Sequence, residues 1–382
     1  MKILITGVTA RAIAESAVHS GYVAIALDAF ADLDLEALCE CYALQRHFKL
    51  PFSARALYRA SQKLQFEAVA YTSNLENYPA IVRRFASQYV LLGNTPETLA
   101  GVRDWRRLSG VLAQAGFRTP DTIYHASERR PEAGREWLRK PLRGGGGHKI
   151  AFCQADRLPG KGFMLQEYIP GLACSASFVS NGKEAVIIGL SEQLLGQPEF
   201  GAGGFIYCGN LVPLPDSISA ARVQSILEQA RRIATLVTRE FGLAGVNGFD
   251  FILADDQVCL TEVNPRYSAS MELIERAYEL PIFDLHVQAV TKGILPDFDL
   301  AEGGRLTQGR YYGKTILYGE QNAQAPDTRR WLAQDMRDIP HPGEPLLQGK
   351  PVCTLLAEAF SRDECFARLV DKAQKIKGEI YG

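Results

Sequence analysis

Asp250, Glu262 and Asn264 have the types and spacing of a site for a hard cation. Asp250 lies in the apolar run Phe249–Leu253, and Glu262 lies in the facing run Val258–Val263. The turn Asp255-Asp256 makes the two runs a hairpin. Glu262 and Asn264 are two residues apart, so their side chains leave the same face of a strand. Carboxylates flanked by Phe251, Leu260 and Val263 are costly to bury unless paired. An all-oxygen set suits Mg²⁺, which also takes phosphate oxygens from a nucleotide. Solvated polar residues on an exposed strand are the alternative reading. Arg266, two residues beyond Asn264, belongs to the same face, where a guanidinium stabilises charge on a transferring phosphoryl group.

A second feature lies upstream. Lys140 precedes four consecutive glycines, Gly144, Gly145, Gly146 and Gly147. Such a run is costly unless the backbone must bend or approach something closely, and its N–H groups can wrap phosphate oxygens. A flexible hairpin tip is the competing reading. Next comes Gln166-Glu-Tyr-Ile-Pro-Gly171, a strand end running into a turn, where backbone groups at Tyr168 and Ile169 can pair with an adenine edge.

The elements that must carry these residues are legible in outline. Lys2–Thr6 is a buried-strand pattern, an Ala-rich helix follows from about Ala10 to Ser20, and Val23–Leu27 is a second strand, which predicts a β-α-β unit and a parallel sheet. Ala68–Tyr71 and Tyr89–Leu92 read as further strands. Arg103–Ala115 and Ala220–Phe241 read as helices, the second closed by Gly242. Ala173–Ser180 and Ala185–Ser191 read as a hairpin around Asn181-Gly182. The tail ends in a helix from Arg362 to Lys377.

Composition excludes several classes. The 382 residues carry a formal net charge of -1, with 47% hydrophobic and 22% charged residues, so no basic excess points to nucleic acid. No apolar stretch reaches the roughly 18 residues that span a bilayer. The start lacks the pattern of an export signal, and the cytoplasm is the expected location. Eight cysteines are scattered, with only Cys39 and Cys41 close together, which predicts free thiols rather than a zinc site. Asp28 after the second strand invites a dinucleotide reading, but the turn Gly7-Val-Thr-Ala-Arg-Ala lacks the glycine fingerprint. Arg11, at the helix start, is either an anion contact or a solvated arginine.

Taken in order, Lys140-Pro-Leu-Arg-Gly-Gly-Gly-Gly147, Gln166-Glu-Tyr-Ile-Pro-Gly171, Gly248-Phe-Asp-Phe-Ile-Leu253 and Glu262-Val-Asn-Pro-Arg266 resemble the ATP-grasp superfamily, nearest to the carboligases related to biotin carboxylase. His341-Pro-Gly-Glu-Pro345 and Gly349–Ala357 resemble the small C-terminal unit of that group. The first hundred residues match only in architecture.

The resemblance implies an α/β fold in three units: residues 1–100 as a doubly wound parallel-sheet domain, 101–292 as the ATP-grasp domain with a lid at about 120–192, and 293–382 as a unit completing the substrate site. It implies that Lys140 and Gly144–Gly147 hold ATP phosphates, and that Glu167, Tyr168 and Ile169 meet the adenine. It places Ser175 and Gln193 near ribose or phosphates, Mg²⁺ (or Mn²⁺ in its place) on Asp250, Glu262 and Asn264, and an acyl phosphate at Arg266. Relatives carry a lysine after an aspartate near residue 105. Here Arg103-Asp-Trp-Arg-Arg107 stands instead, so that either Arg106 or Arg107 substitutes or this nucleotide contact is absent.

The chemistry implied is carboxylate activation by ATP, then attack by an amine, giving an amide, ADP and phosphate. The rivals are a biotin-type carboxylase and a non-catalytic ATP-binding regulator. The partners expected are a small carboxylate and an amine, with no nucleic acid or membrane and with room for a homodimer. The chain also resembles the branch that includes archaeal tyramine–glutamate ligases of methanofuran synthesis, which implies glutamate and an amine such as tyramine or tyrosine. An amino-acid substrate needs a cation for each carboxylate and a carboxylate for its ammonium. Arg11, Glu272 and Arg310, with Tyr311, are the candidates, against ordinary surface charge.

Overall fold

The structure, a computed structural model, describes residues 1–125, 131–132, 134–153, 159–303 and 307–382. Five strands open the chain: β1 (Lys2–Thr6), β2 (Val23–Asp28), β3 (Glu40–Ala43), β4 (Ala68–Tyr71) and β5 (Val90–Leu92). They form one parallel sheet in the order β3-β2-β1-β4-β5. Strands β1, β2 and β4 are almost wholly apolar because helices cover both faces. Asp28 closes this region: its carboxylate accepts from the amides of Ala10, Phe30 and Ala31 and so fixes the turns around the Arg11–His19 helix. It therefore plays a structural part.

A four-stranded antiparallel sheet follows, built from β6 (Thr122–Ile123), β7 (Trp137–Pro141), β8 (Ala151–Cys153) and β9 (Phe163–Glu167), in the order β6-β9-β7-β8. Its small core is Ile123, Trp137 and Leu165.

The largest sheet has eight strands. They are β10 (Leu172–Asn181), β11 (Ala185–Leu195), β12 (Tyr207–Val212), β13 (Ala244–Ala254), β14 (Gln257–Asn264), β15 (Tyr311–Tyr318), β17 (Met336–Arg337) and β19 (Pro351–Ala359), whereas β16 (Ala323–Gln324) and β18 (Pro345–Leu346) pair separately. The order is β14-β13-β10-β11-β12-β15-β19-β17. The hairpin expected at 173–191 belongs to this sheet rather than to the small one, because β10 pairs with β13 along its whole length. The sheet also runs across residue 293, since β12 pairs with β15.

Alternation divides the two faces of the large sheet. Ala176, Phe178, Phe249 and Phe251 pack with Ile226, Ala230, Ile233 and Val237 of the Ala220–Phe241 helix. That helix is capped by Ser219, whose hydroxyl accepts from Arg222 N, and ends at Gly242 with φ +69°. The opposite face is apolar at one end, where Val179 and Val246 pack with Ile274, Phe283 and Val287, and polar at the other, where it carries the site. No helix among the described residues is long and apolar enough to cross a membrane. The cysteines of the described residues are free, and five of the eight are buried.

Candidate functional site

One row of the large sheet sets the arrangement. Ser191, Ser175, Asp250 and Glu262 stand in register on four neighbouring strands, so their side chains share a face. Asn264 pairs with Gly248, two residues before Asp250, and joins them. This depends on a bulge: Asp250 pairs with Glu262 but Phe251 with Leu260, which leaves Thr261 as the extra residue. The bulge brings Glu262 opposite Asp250. The Thr261 hydroxyl closes it by donating to Asp250 O at 3.2 Å, and Thr261 O is freed to accept from Lys140 Nζ at 3.3 Å.

Each carboxylate here has a fixed neighbour. Asp250 accepts from Gln193 Nε2 at 2.9 Å and from Asn264 Nδ2 at 3.1 Å. Burial pushes its carboxyl up to about 6, and the nearby Glu262 adds to this. Burial also pushes Glu262 up, but Arg103, Lys140 and Arg266 outweigh it and hold that carboxyl below its ordinary value. Arg266 donates from Nη2 to Asn264 Oδ1 at 3.2 Å and from Nε to Glu76 at 2.9 Å.

The glycine run packs over this row. Lys140, Gly144, Gly145 and Gly147 line one cleft together with Arg103, Trp105, Thr261 and Glu262. A side chain at Gly147, where φ is +74°, would lie 1.7 Å from the Phe205 carbonyl oxygen. Tyr207 N donates to Gly146 O at 3.1 Å. The run is thus anchored at its far end, where Gly146 and Gly147 meet the Phe205–Tyr207 segment, while Gly145 lies open. Phe152, Tyr168 and Phe205 cluster beside it, with ring centroids 5.0 Å and 5.3 Å from Phe152. Glu167 is tied at the strand end by Asp121 N at 3.2 Å and by Arg135 at 3.6 Å, and Ile169 is buried against Ala254 and Cys259.

The structure therefore gathers Lys140, the glycines, Ser175, Gln193, Asp250, Glu262, Asn264 and Arg266 along one polar face and its covering loop. It does not gather the expected substrate residues there. Arg11 is 1% exposed, and five hydrogen bonds to Glu15, Glu272 and Asp338 occupy its guanidinium. A guanidinium has five N–H donors, so none remains for a substrate carboxylate. Glu272 is shared between Arg11 and Lys314, which together overcome burial and hold its carboxyl well below the ordinary range. Arg310 pairs with Glu358 at 3.0 Å on the outside and lies over the exposed Phe360.

The upstream basic segment also needs correcting. Arg106 lies over the Tyr124 ring, and Arg107 over Phe241. Asp104 caps the Trp105–Gln114 helix, accepting from Arg106 N and Arg107 N, and neither arginine side chain lines the cleft. Arg103, just outside the cap, reaches Glu262 and Val263 O instead. Sequence reasoning passed over Arg103, although its place before a capping aspartate was the available signal. It also missed Glu76 and Asn77, which have no motif.

Comparison with known proteins agrees with this geometry. Residues 102–270 match the ATP-grasp domain model. An uncharacterised protein of Methanocaldococcus jannaschii is 22% identical over 385 residues, covering 94% of this chain and 88% of its own. The formate-dependent phosphoribosylglycinamide formyltransferase of Anaeromyxobacter dehalogenans is 32% identical over 132 residues, which is 33% of this chain and 34% of that enzyme. Among solved structures, biotin carboxylase from Campylobacter jejuni superposes with a TM-score of 0.72 at 15% identity, covering 99% of this chain and 91% of that one. The L-amino acid ligase of Bacillus licheniformis gives 0.68 at 15% identity, covering 100% and 98%. With the motifs in order and the cleft assembled, residues 102–270 are an ATP-grasp domain, and the chain as a whole shares the fold of biotin carboxylase and of the L-amino acid ligase.

Proposed function

We propose that this protein is an ATP-dependent carboxylate–amine ligase that works through an acyl phosphate and releases ADP. The observation that carries the reading is the single cleft in which Lys140 and the glycine run face Glu262. Lys140 and the loop amides would hold the terminal phosphates. Mg²⁺, with Mn²⁺ as a substitute, fits Asp250, Glu262 and Asn264: the donors are all oxygen, and two half-buried carboxylates side by side favour a cation. Among the described residues no group of three or more His, Cys, Asp and Glu is arranged to hold a metal unaided. A site of two carboxylates and an amide, completed by phosphate oxygens, is the kind Mg²⁺ prefers. When bound, the metal supplies charge neutralisation at the phosphates.

The chain's own residues then position and shield the reactants. A substrate carboxylate oxygen attacks the γ-phosphorus and ADP leaves. Arg266, fixed by Glu76 and Asn264, faces the charge that develops. The amine attacks the acyl carbon, loses its proton, and phosphate departs. The glycine loop, anchored at Gly147, would cover the acyl phosphate and keep water from it. Glutamate as the carboxylate, and tyramine or a tyrosine-like amine as its partner, are the substrates this reading names. They rest on the motif resemblance and on the fold shared with an amino acid ligase, because Arg11 and Arg310 do not support them. A cytoplasmic location belongs to the same reading.

The test is a release assay with ATP, Mg²⁺ and amino acids, singly and paired with aromatic amines, followed by chromatography of the spent nucleotide. ADP formed with glutamate and an aromatic amine is expected. AMP with pyrophosphate would overturn the mechanism, and ADP with another carboxylate alone would overturn the substrate. The biotin carboxylase fold favours one second reading, carboxylation from bicarbonate, which the same assay detects as bicarbonate-dependent ADP release.

A further inference from the structure

Two side chains of the N-terminal unit reach across to the segment that ends in Arg266, and a third reaches Arg103. Asn94, 2% exposed, donates from Nδ2 to Pro265 O at 3.0 Å, while its Oδ1 accepts from Ala244 N at 2.9 Å. Glu76, also 2% exposed, accepts from Arg266 Nε at 2.9 Å. Its neighbour Asn77 accepts from Arg103 Nη2 at 3.0 Å. The two arginines then divide the metal-facing oxygens between them, Arg103 on Glu262 and Arg266 on Asn264.

Two consecutive residues on one short turn, Leu75–Asn77, thus each hold a different arginine of the cleft. The second oxygen of Glu76, Oε2, is buried without a hydrogen-bond partner. A buried carboxylate with a bare oxygen is unfavourable for folding alone. Asparagine or serine would hold a backbone turn at lower cost, so the charge at this position points to its effect on Arg266. Arginine is long and rotamer-rich, and fixing its plane before the nucleotide arrives removes that ordering from the binding step.

We propose that Glu76 and Asn77 are positioning residues, Glu76 setting Arg266 for the terminal phosphate and Asn77 setting Arg103 beside the metal-facing Glu262. The proposal rests on the nucleotide reading of the cleft, and its test is chosen to separate the two. The intact protein and its variants are titrated by calorimetry with the magnesium complexes of ADP and of the non-hydrolysable β,γ-imido analogue of ATP. Asn77→Leu is expected to weaken both nucleotides by about ten-fold, the scale of one hydrogen bond to a charged group. Asn77→Asp, which keeps the acceptor, is expected to bind like the parent. Glu76→Gln is expected to lower the preference for the ATP analogue over ADP by about ten-fold.

Each effect should vanish when its arginine is already gone, Asn77→Leu in an Arg103→Ala background and Glu76→Gln in an Arg266→Ala background. Losses that persist in those backgrounds would reduce both residues to general scaffolding and overturn the proposal. So would folded single variants with parental affinities. Should Glu76→Gln not fold, the contrast between Asn77→Leu and Asn77→Asp decides. A parent protein that binds neither nucleotide removes the cleft reading itself, and the positioning role with it.

Discussion

Arg11 and Arg103 are both arginines set against buried carboxylates, one at the seam between the N-terminal unit and the C-terminal strands, the other in the cleft. Arg11 is ringed by Glu15, Asp34, Glu272 and Asp338, with Lys314 and Arg337 completing the set. Every donor of Arg11 is used, and its side chain is shut off from solvent. Arg103 has Glu262, Asn77 and a backbone oxygen, and it lines an opening shared with Lys140 and the glycine run. The first arrangement resembles a lock between units, and the second a set of charges awaiting a ligand. Buried charge alone does not mark a functional site. What separates the two is whether partners are exhausted and whether space remains beside them.

The comparison breaks most sharply at Glu272. Glu272→Ala leaves Arg11 and Lys314 facing each other with fewer counter-charges, and removal of one partner from a buried cluster costs about 3–5 kcal/mol. Urea unfolding should show that loss, while nucleotide affinity of the folded fraction stays at the parental value. A loss under about 1 kcal/mol would mean the seam is looser than drawn.

Asp250→Asn should act the other way. Its folded carboxyl is raised from 3.8 to about 6, so the protonated form suits the fold better. Stability from this group is full below about pH 4 and is lost as pH rises through about 6. The asparagine variant should therefore be more stable than the parent at pH 7, by about 1–2 kcal/mol because part of Asp250 faces the cleft, and no more stable at pH 4. Thermal melts at both pH values, together with loss of magnesium–nucleotide binding, check this. A larger stability gain from the substitution at pH 4 than at pH 7 would contradict it.

Lys140→Ala should weaken ATP binding by about ten-fold or more, with circular dichroism unchanged. Parental affinity in a folded variant would remove Lys140 from the phosphate site. Arg310→Ala is the smallest effect: an exposed pair with Glu358 is worth under about 0.5 kcal/mol, and neither unfolding nor nucleotide titration should register it.

Much of the cleft was legible because its residues sit in short local patterns. Glu262 and Asn264 close one strand with Arg266 just beyond its end, Asp250 lies across one hairpin, and Lys140 lies close to its glycines. The parts that were not legible depend on distant partners. Arg11 meets Glu272 and Asp338 only after the chain has folded across 261 and 327 positions, and no local pattern announces such a meeting. The bulge at Thr261 is similar: alternation places Glu262 and Asn264 on one face, but only the pairing with β13 shows that Asp250 shares it. The parallel sheet was readable from its apolar strands, whereas β3, with only Ala43 buried, gave little contrast.

The joining of β12 to β15 carries a practical consequence for shortened versions of the chain. A chain stopped near Gly293, where sequence alone suggests a boundary, would strip β12 of its neighbour and bare the backbone amides and carbonyls of Gly209–Val212. Cys208, Leu211 and Val212 are among the most buried residues here, so that rim would be both unpaired and greasy. Such a rim recruits any extended chain it meets, which favours domain swapping and insoluble aggregates over a working fragment. The last 70 or so residues thus act as the sheet's own protective border, and a cut placed there should show up as precipitation at the expression stage, well before any assay is run.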